Sequence, residues 1–210
     1  MSTLHANDLP EGFIYLKEFI PEIEIDVHYY GSNNFLGSRV SGYENPVCII
    51  TEPAAHALKQ VQAELNTYSL GLKVFDAYRP QIAVDQFIEW ADNDKDTKTK
   101  DKYYPNIAKH ELIPKGYIAV KSSHTRGSTA DLTIIDINSK NELDMGTQFD
   151  FFSPKSWPSD LSITPAQRAN RMLLQQVMLK YGFLPLREEW WHFTLKDEPY
   201  PDQYFNFPVK

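Results

Sequence analysis

One cysteine in 210 residues closes off two routes at once. Cys48 can form neither an intramolecular disulfide nor a multi-cysteine zinc site. Its neighbours Val47, Ile49 and Ile50 make it a small buried apolar side chain rather than an exposed nucleophile. Positive charge is also short: 21 Lys and Arg against 28 Asp and Glu leave a net charge of −7. A nucleic-acid or anionic-membrane surface needs clustered cations, which this balance does not favour. No stretch approaches the ~20 apolar residues of a bilayer span. The opening MSTLHANDLPEGF has no basic start followed by an apolar run. These absences predict a cytoplasmic protein, or a periplasmic one if a leader has been removed, with neither nucleic acid nor membrane as a partner. Internal repeats and low-complexity segments are missing too, and the oligomeric state leaves no mark in the sequence.

What is present is an ordinary folding sequence, 42% hydrophobic and 23% charged, with no visible linker, so one domain over residues 1–210 is expected. FIYLKEFIPEIEIDVHYY (13–30) alternates apolar and polar residues and predicts strand, interrupted at Pro21. GSNNFLGSRVSGYENP (31–46) reads as a long ordered loop. A helix is expected from Thr51 as N-cap, with Pro53 in its first turn and Ala55, Leu58, Val61 and Leu65 as its apolar stripe. LKVFDAYRP (72–80) predicts a strand and QIAVDQFIEWA (81–91) a helix, while DNDKDTKTKD (92–101) is too charged to bury. GYIAVKSSH (116–124) and ADLTIIDI (130–137) read as adjacent strands. Residues 164–182 form the clearest helix, capped by Thr164, begun by Pro165 and ended by Gly182. REEWWHFTL (187–195) reads as a late strand. The irregular order favours an α+β fold, with a central, mainly antiparallel sheet flanked by helices.

The chemistry concentrates in two stretches. SSHTRGSTAD places His124 and Asp131 seven positions apart with Gly127 between them, where a glycine lets the chain turn. EEWWHF places Glu189 three residues before His192. His5, His56 and His110 sit among mobile-terminus, helical and charged neighbours and read as solvated side chains; His28 has nothing nearby to complete a site. Two histidines and an aspartate are three N/O ligands with a fourth tetrahedral position left over, the make-up of a catalytic zinc site rather than a closed structural one. The remaining Glu189 would then serve as a base toward water. Spacing raises a difficulty, because residues three apart on a flat strand point to opposite faces. A bulge or strand end must bring Glu189 and His192 together. Without the other motif, EEWWHF would read as an aromatic strand packing its two tryptophans.

S-x-H-x-x-G-x-x-x-D followed by E-x-W-H resembles the zinc signature of the D-Ala-D-Ala metallopeptidases. Within that group the chain is most similar to the VanX-type D-alanyl-D-alanine dipeptidases, which are associated with vancomycin resistance and also occur as housekeeping enzymes. The likeness runs through DAYRP (76–80), YYPNI (103–107), MGTQFDF (145–151) and the tail DEPYPDQYFNFPVK. It implies one zinc ion per chain in a small enclosed cavity, held by His124, Asp131 and His192, with Glu189 as general base and Arg79 as oxyanion stabiliser. Asp76 would orient Arg79. The resemblance further implies Asp150 and Tyr29 as partners of the substrate ammonium, with Tyr30 adjacent to the latter, and Ser122 and Ser123 are candidates for its carboxylate. Loops 31–46 and 92–101 would rim the cavity. Thr129 departs from the pattern, standing where alanine is usual. The expected reaction is hydrolysis of a D,D-dipeptide to free D-amino acids. A carboxypeptidase or endolysin acting on longer muropeptides, and a non-catalytic zinc-fold binding module, are the competing expectations.

Overall fold

A computed structural model of the chain describes residues 9–210; His5 lies outside the described residues. The main sheet runs in the order β2 (Glu24–Ile25), β4 (Leu70–Asp76), β5 (Thr129–Asp136), β7 (His192–Leu195), β6 (Phe183–Pro185). Every pairing in it is antiparallel except β2 with β4. β1 (Phe13–Tyr15) and β3 (Ile49–Thr51) form a separate antiparallel pair. Helix α2 (Glu52–Asn66) packs on β4, and α5 (Pro165–Lys180) packs on β6 and α2. β5 is buried from Thr129 to Ile135. Both faces are covered, so Asp131 and Thr133 are buried as fully as the Ala130, Leu132 and Ile134 they alternate with. The fold is α+β, as the element order indicates.

Local signals placed the helices well. Ala55, Leu58, Val61 and Leu65 are all buried along α2. α3 spans Gln81–Asp92. α5 carries a reciprocal cap in which Thr164 Oγ1 accepts from Gln167 N and Gln167 Oε1 accepts from Thr164 N. Gly182 follows at φ +87°. Thr51, by contrast, does not cap α2 with its side chain; its hydroxyl shares a 2.6 Å hydrogen bond with Ser128 Oγ. Cys48 is buried.

Three strand expectations need correction. Residues 13–30 are not one interrupted strand: β1 runs directly into a helical turn, α1 (Leu16–Phe19), then to β2 and a 3-10 turn at His28–Tyr30. Leu16 and Ile20 lie four apart, and one helical turn buries both. Residues 116–124 form no strand beside β5, because β4 and β7 already occupy both of its edges. That segment instead makes turns, with Gly116 at φ +81° and Tyr117 and Ile118 both buried. Residues 187–195 split into a loop and β7, so that β6 and β7 form a hairpin with Glu189 in its connection. The 92–101 loop is exposed along much of its length and ends in α4 (Lys100–Tyr103).

Candidate metal centre and active-site cavity

His124 sits in a 3-10 turn, Ser123–Arg126, capped by the Ser122 hydroxyl, which accepts from His124 N at 3.3 Å. The turn closes at Gly127 with φ +86°, and a Cβ there would meet the Phe13 ring at 2.2 Å. Both backbone conformation and space therefore demand glycine. From Gly127 the chain enters β5, where Asp131 is paired across the ladder with Asp76 on one side and His192 on the other. A β-bulge between Val74 and Asp76 locally shifts that register. Glu189 lies before β7 begins rather than within it, which removes the strand-parity objection and sets Glu189 Oε2 3.5 Å from His192 Nδ1.

The three ligand candidates converge with their lone pairs facing one another. His124 Nδ1 lies 2.7 Å from the Ala77 carbonyl, an acceptor only, so that nitrogen carries the hydrogen and Nε2 is left bare. His192 Nε2 meets Ser123 Oγ at 3.1 Å; in the tautomer that donates this bond, Nδ1 is left bare. His124 Nε2 is 3.2 Å from His192 Nδ1 and 3.2 Å from Asp131 Oδ2, while His192 Nδ1 is 3.1 Å from Asp131 Oδ1. Asp131 Oδ1 is buried and accepts no hydrogen bond. Unprotonated nitrogens and a carboxylate at these separations repel unless a cation lies between them. Ligand bonds of about 2.0–2.1 Å in a tetrahedron give edges of about 3.3 Å, close to those observed. The donor set therefore fits zinc, and each histidine has the outer hydrogen-bond partner that fixes a ligand's ring.

Arg79 stands beside this triangle. Its Nε donates to Asp76 Oδ2 at 2.9 Å and its Nη2 lies 2.8 Å from the same oxygen and 3.4 Å from Asp131 Oδ2. Asp76 Oδ1 accepts from Tyr43 Oη at 2.6 Å, so the carboxylate that holds Arg79 is itself held. Arg79 also lies over the rings of Tyr29 and Phe87. Arg79 is thus both held by Asp76 and turned toward the cavity.

A cavity of about 260 Å³ opens onto these groups. Asp150 enters it from a left-handed backbone, φ 60°, and accepts from Tyr29 Oη at 2.8 Å. Tyr30 does not line it; Tyr29 does. Ser122 and Ser123 line the cavity too. Ser122 Oγ accepts from His124 N and keeps its own hydrogen free to donate, and Ser123 Oγ does the same in the tautomer where His192 Nε2 donates. Phe35 comes from the 31–46 loop, but no lining residue comes from 92–101. That charged loop braces from behind, with Thr99 Oγ1 donating to the Phe35 carbonyl. The rim is supplied instead by Gly116–Ala119 and Lys121. Sequence reading missed this rim, together with Phe35, Phe87, Phe152 and Tyr43. Aromatic side chains in polar loops were the available signal for Phe35 and Phe152; Phe87 looked like any helix core residue.

The electrostatics are lopsided. Asp76, Asp131, Asp150 and Glu189 are buried at or behind the cavity, with Arg79 as their permanent cation. Burial pushes Asp150 well above the usual carboxylate range, and the charge of Asp131 adds to it. Burial likewise raises Glu189, with Asp131 and Asp150 adding to it. Burial alone would raise Asp131 as well, but His124 and His192 overcome it and hold the carboxyl well below its ordinary value. Burial lowers His192, against the pull of Asp131, which favours the neutral imidazole a metal needs. Uncompensated buried carboxylates are costly. The cavity is built for guests that bring positive charge.

Comparison with known proteins agrees with the family the motifs resemble. The family model Peptidase_M15, described as D-ala-D-ala dipeptidase, matches residues 10–210. A D-alanyl-D-alanine dipeptidase of Enterococcus faecalis is 44% identical over 96% of this chain and 100% of its own length. One from Enterococcus faecium is 40% identical over 95% and 98%. One from Streptomyces coelicolor is 38% identical over 94% and 98%. The chain belongs to the D-Ala-D-Ala dipeptidase family of peptidases.

Proposed function

We propose that this protein is a zinc-dependent dipeptidase that hydrolyses D-alanyl-D-alanine and similar D,D-dipeptides to free D-amino acids, with one zinc per chain. The observation that carries the proposal is the convergence of His124 Nε2, His192 Nδ1 and the Asp131 carboxylate at one end of a cavity rich in buried carboxylates. Zinc bound there supplies Lewis acidity toward the scissile carbonyl and a lowered pKa for water.

This chain's own residues then divide the work. Glu189 takes a proton from the attacking water and returns it to the departing amine, a double duty that suits a carboxyl raised above its ordinary range. Arg79 donates to the carbonyl oxygen as charge develops on it, already held in place by Asp76 before substrate arrives. Asp150 and Tyr29 receive the substrate ammonium, and Ser122 and Ser123 donate to its carboxylate. A buried carboxylate facing the ammonium favours a free amino terminus over an acylated one. That, with the small cavity, supports a dipeptidase over an enzyme of longer muropeptides. Resistance to vancomycin and recycling of wall-derived D-alanine would draw on the same reaction.

The test is dipeptide hydrolysis before and after chelation, with zinc added back, beside an N-acylated tripeptide. Activity on the dipeptide that is lost on chelation and restored by zinc is the expected result. Glu189→Gln should keep its zinc and lose turnover by about 10³-fold. Near wild-type turnover in that variant would remove Glu189 from its role, and zinc binding without turnover in the parent would leave a binding module.

A further inference from the structure

Thr129 and Thr194 face each other across β5 and β7, two rungs along from the ligand pair. The register runs Thr129↔Thr194, Ala130↔Phe193, Asp131↔His192. Leu132 N donates to Trp191 O and Leu195 N donates to Ser128 O. In an antiparallel ladder this spacing makes both Thr129–Thr194 and Asp131–His192 non-hydrogen-bonded pairs, in which opposed side chains stand closest. Residues two apart share a face, so the threonine pair lies on the same side of the sheet as the two ligands. Thr129 Oγ1 and Thr194 Oγ1 are 2.9 Å apart, and Thr129 is fully buried. Nothing in the proposed chemistry uses either hydroxyl.

We propose that Thr129 and Thr194 are positioning residues for the metal site: their hydroxyl bond fixes the separation of β5 and β7 beside Asp131 and His192, and so the bite of those two ligands. The reasoning is mechanical. β7 has only four residues, His192–Leu195, and begins at its ligand. With so short a ladder, few backbone bonds oppose splaying at the His192 end. A hydroxyl pair two rungs away, on the same face, adds a restraint from the side-chain layer where the ligand atoms sit. Tightening that rung holds Asp131 Oδ1 and His192 Nδ1 near 3.1 Å before any metal arrives, so less ordering remains for binding to supply.

This inference rests on His124, Asp131 and His192 being the ligands, and the experiment separates the two. Zinc affinity is measured by competition with a chromophoric chelator for the parent, Thr129→Val, Thr194→Val, the double variant, Thr129→Ser and His192→Ala. Valine keeps the shape and removes the hydroxyl. Either valine variant should weaken zinc binding about tenfold, the low end for loss of an outer partner of a ligand. The double variant should be no worse than the singles, because one bond is being removed, and Thr129→Ser should restore parental affinity. Thr194 is only partly buried, so Thr194→Val tests the bond even if position 129 tolerates no change. Melting of the zinc-free proteins is measured alongside. If the valine variants melt lower yet bind zinc like the parent, while His192→Ala does not bind it, the pair is structural only and the inference fails. If His192→Ala binds zinc as well as the parent, the ligand assignment itself fails.

Discussion

Asp150 shows how one residue can be set against stability for the sake of a site. Its backbone φ of 60° is a conformation that aspartate and asparagine tolerate better than most residues. Its carboxyl is buried, bonded to Tyr29, and raised well above the ordinary value by that burial and by Asp131. The sign of the linkage follows. A folded-state pKa above the unfolded value of about 3.9 gives stability that is fully present below that value and is lost as pH rises through the folded pKa. Above the unfolded value, the buried carboxyl is a burden until an ammonium pairs with it. Asp150→Asn fits the same backbone without the charge. In the presence of chelator, so that metal occupancy does not vary, its melting temperature relative to the parent should rise from pH 5 to pH 8. A difference that shrinks over that range would contradict the assignment. The zinc-loaded variant should show a KM for the dipeptide raised at least about tenfold, as expected for loss of a charge-assisted bond.

Elements set where such residues can stand. Helix α5 was legible from its caps and its apolar spacing because those signals are local. The role of Arg171 within it was not. Its guanidinium is buried and donates to the carbonyls of Met145, Lys155 and Trp157, pinning the loop that presents Asp150. Burial pushes its pKa down to about 10, still charged at neutral pH. Acceptors that are backbone carbonyls far along the chain leave no trace in residue identities. Arg171→Met should destabilise the fold by about 1–3 kcal/mol, since it strands buried carbonyls. It should also raise KM for the dipeptide while zinc affinity stays at the parental level, because the pinned loop carries Asp150 and no ligand. Loss of zinc along with substrate affinity would show that the loop does more than this. The β6–β7 hairpin makes the same point: its turn brings Glu189 to His192, whereas a straight strand would have separated them.

Across the whole molecule the balance is one of charge. Four buried carboxylates gather around Arg79, and the three candidate ligands converge among them. A cation that binds only the folded state stabilises it by about 4 kcal/mol when its concentration is a thousandfold above Kd. Chelation should therefore lower the melting temperature by about 10 °C for a chain of this size. Zinc should restore it, and a melting point indifferent to metal would count against the centre. Among the described residues no helix is long and apolar enough to cross a membrane. The sequence by itself determined the residue types and their order: SSHTRGSTAD, DAYRP and EEWWHF name their chemistry because a ligand set requires particular atoms wherever it folds. It also determined the capped helices, whose signals lie within a turn or two. Tertiary structure decided which edges of β5 were free, and so denied residues 116–124 a strand and made them the rim. It also chose Tyr29 over Tyr30 and set Thr129 against Thr194. Those outcomes depend on contacts between residues far apart in the chain, which exist only once the sheet has assembled.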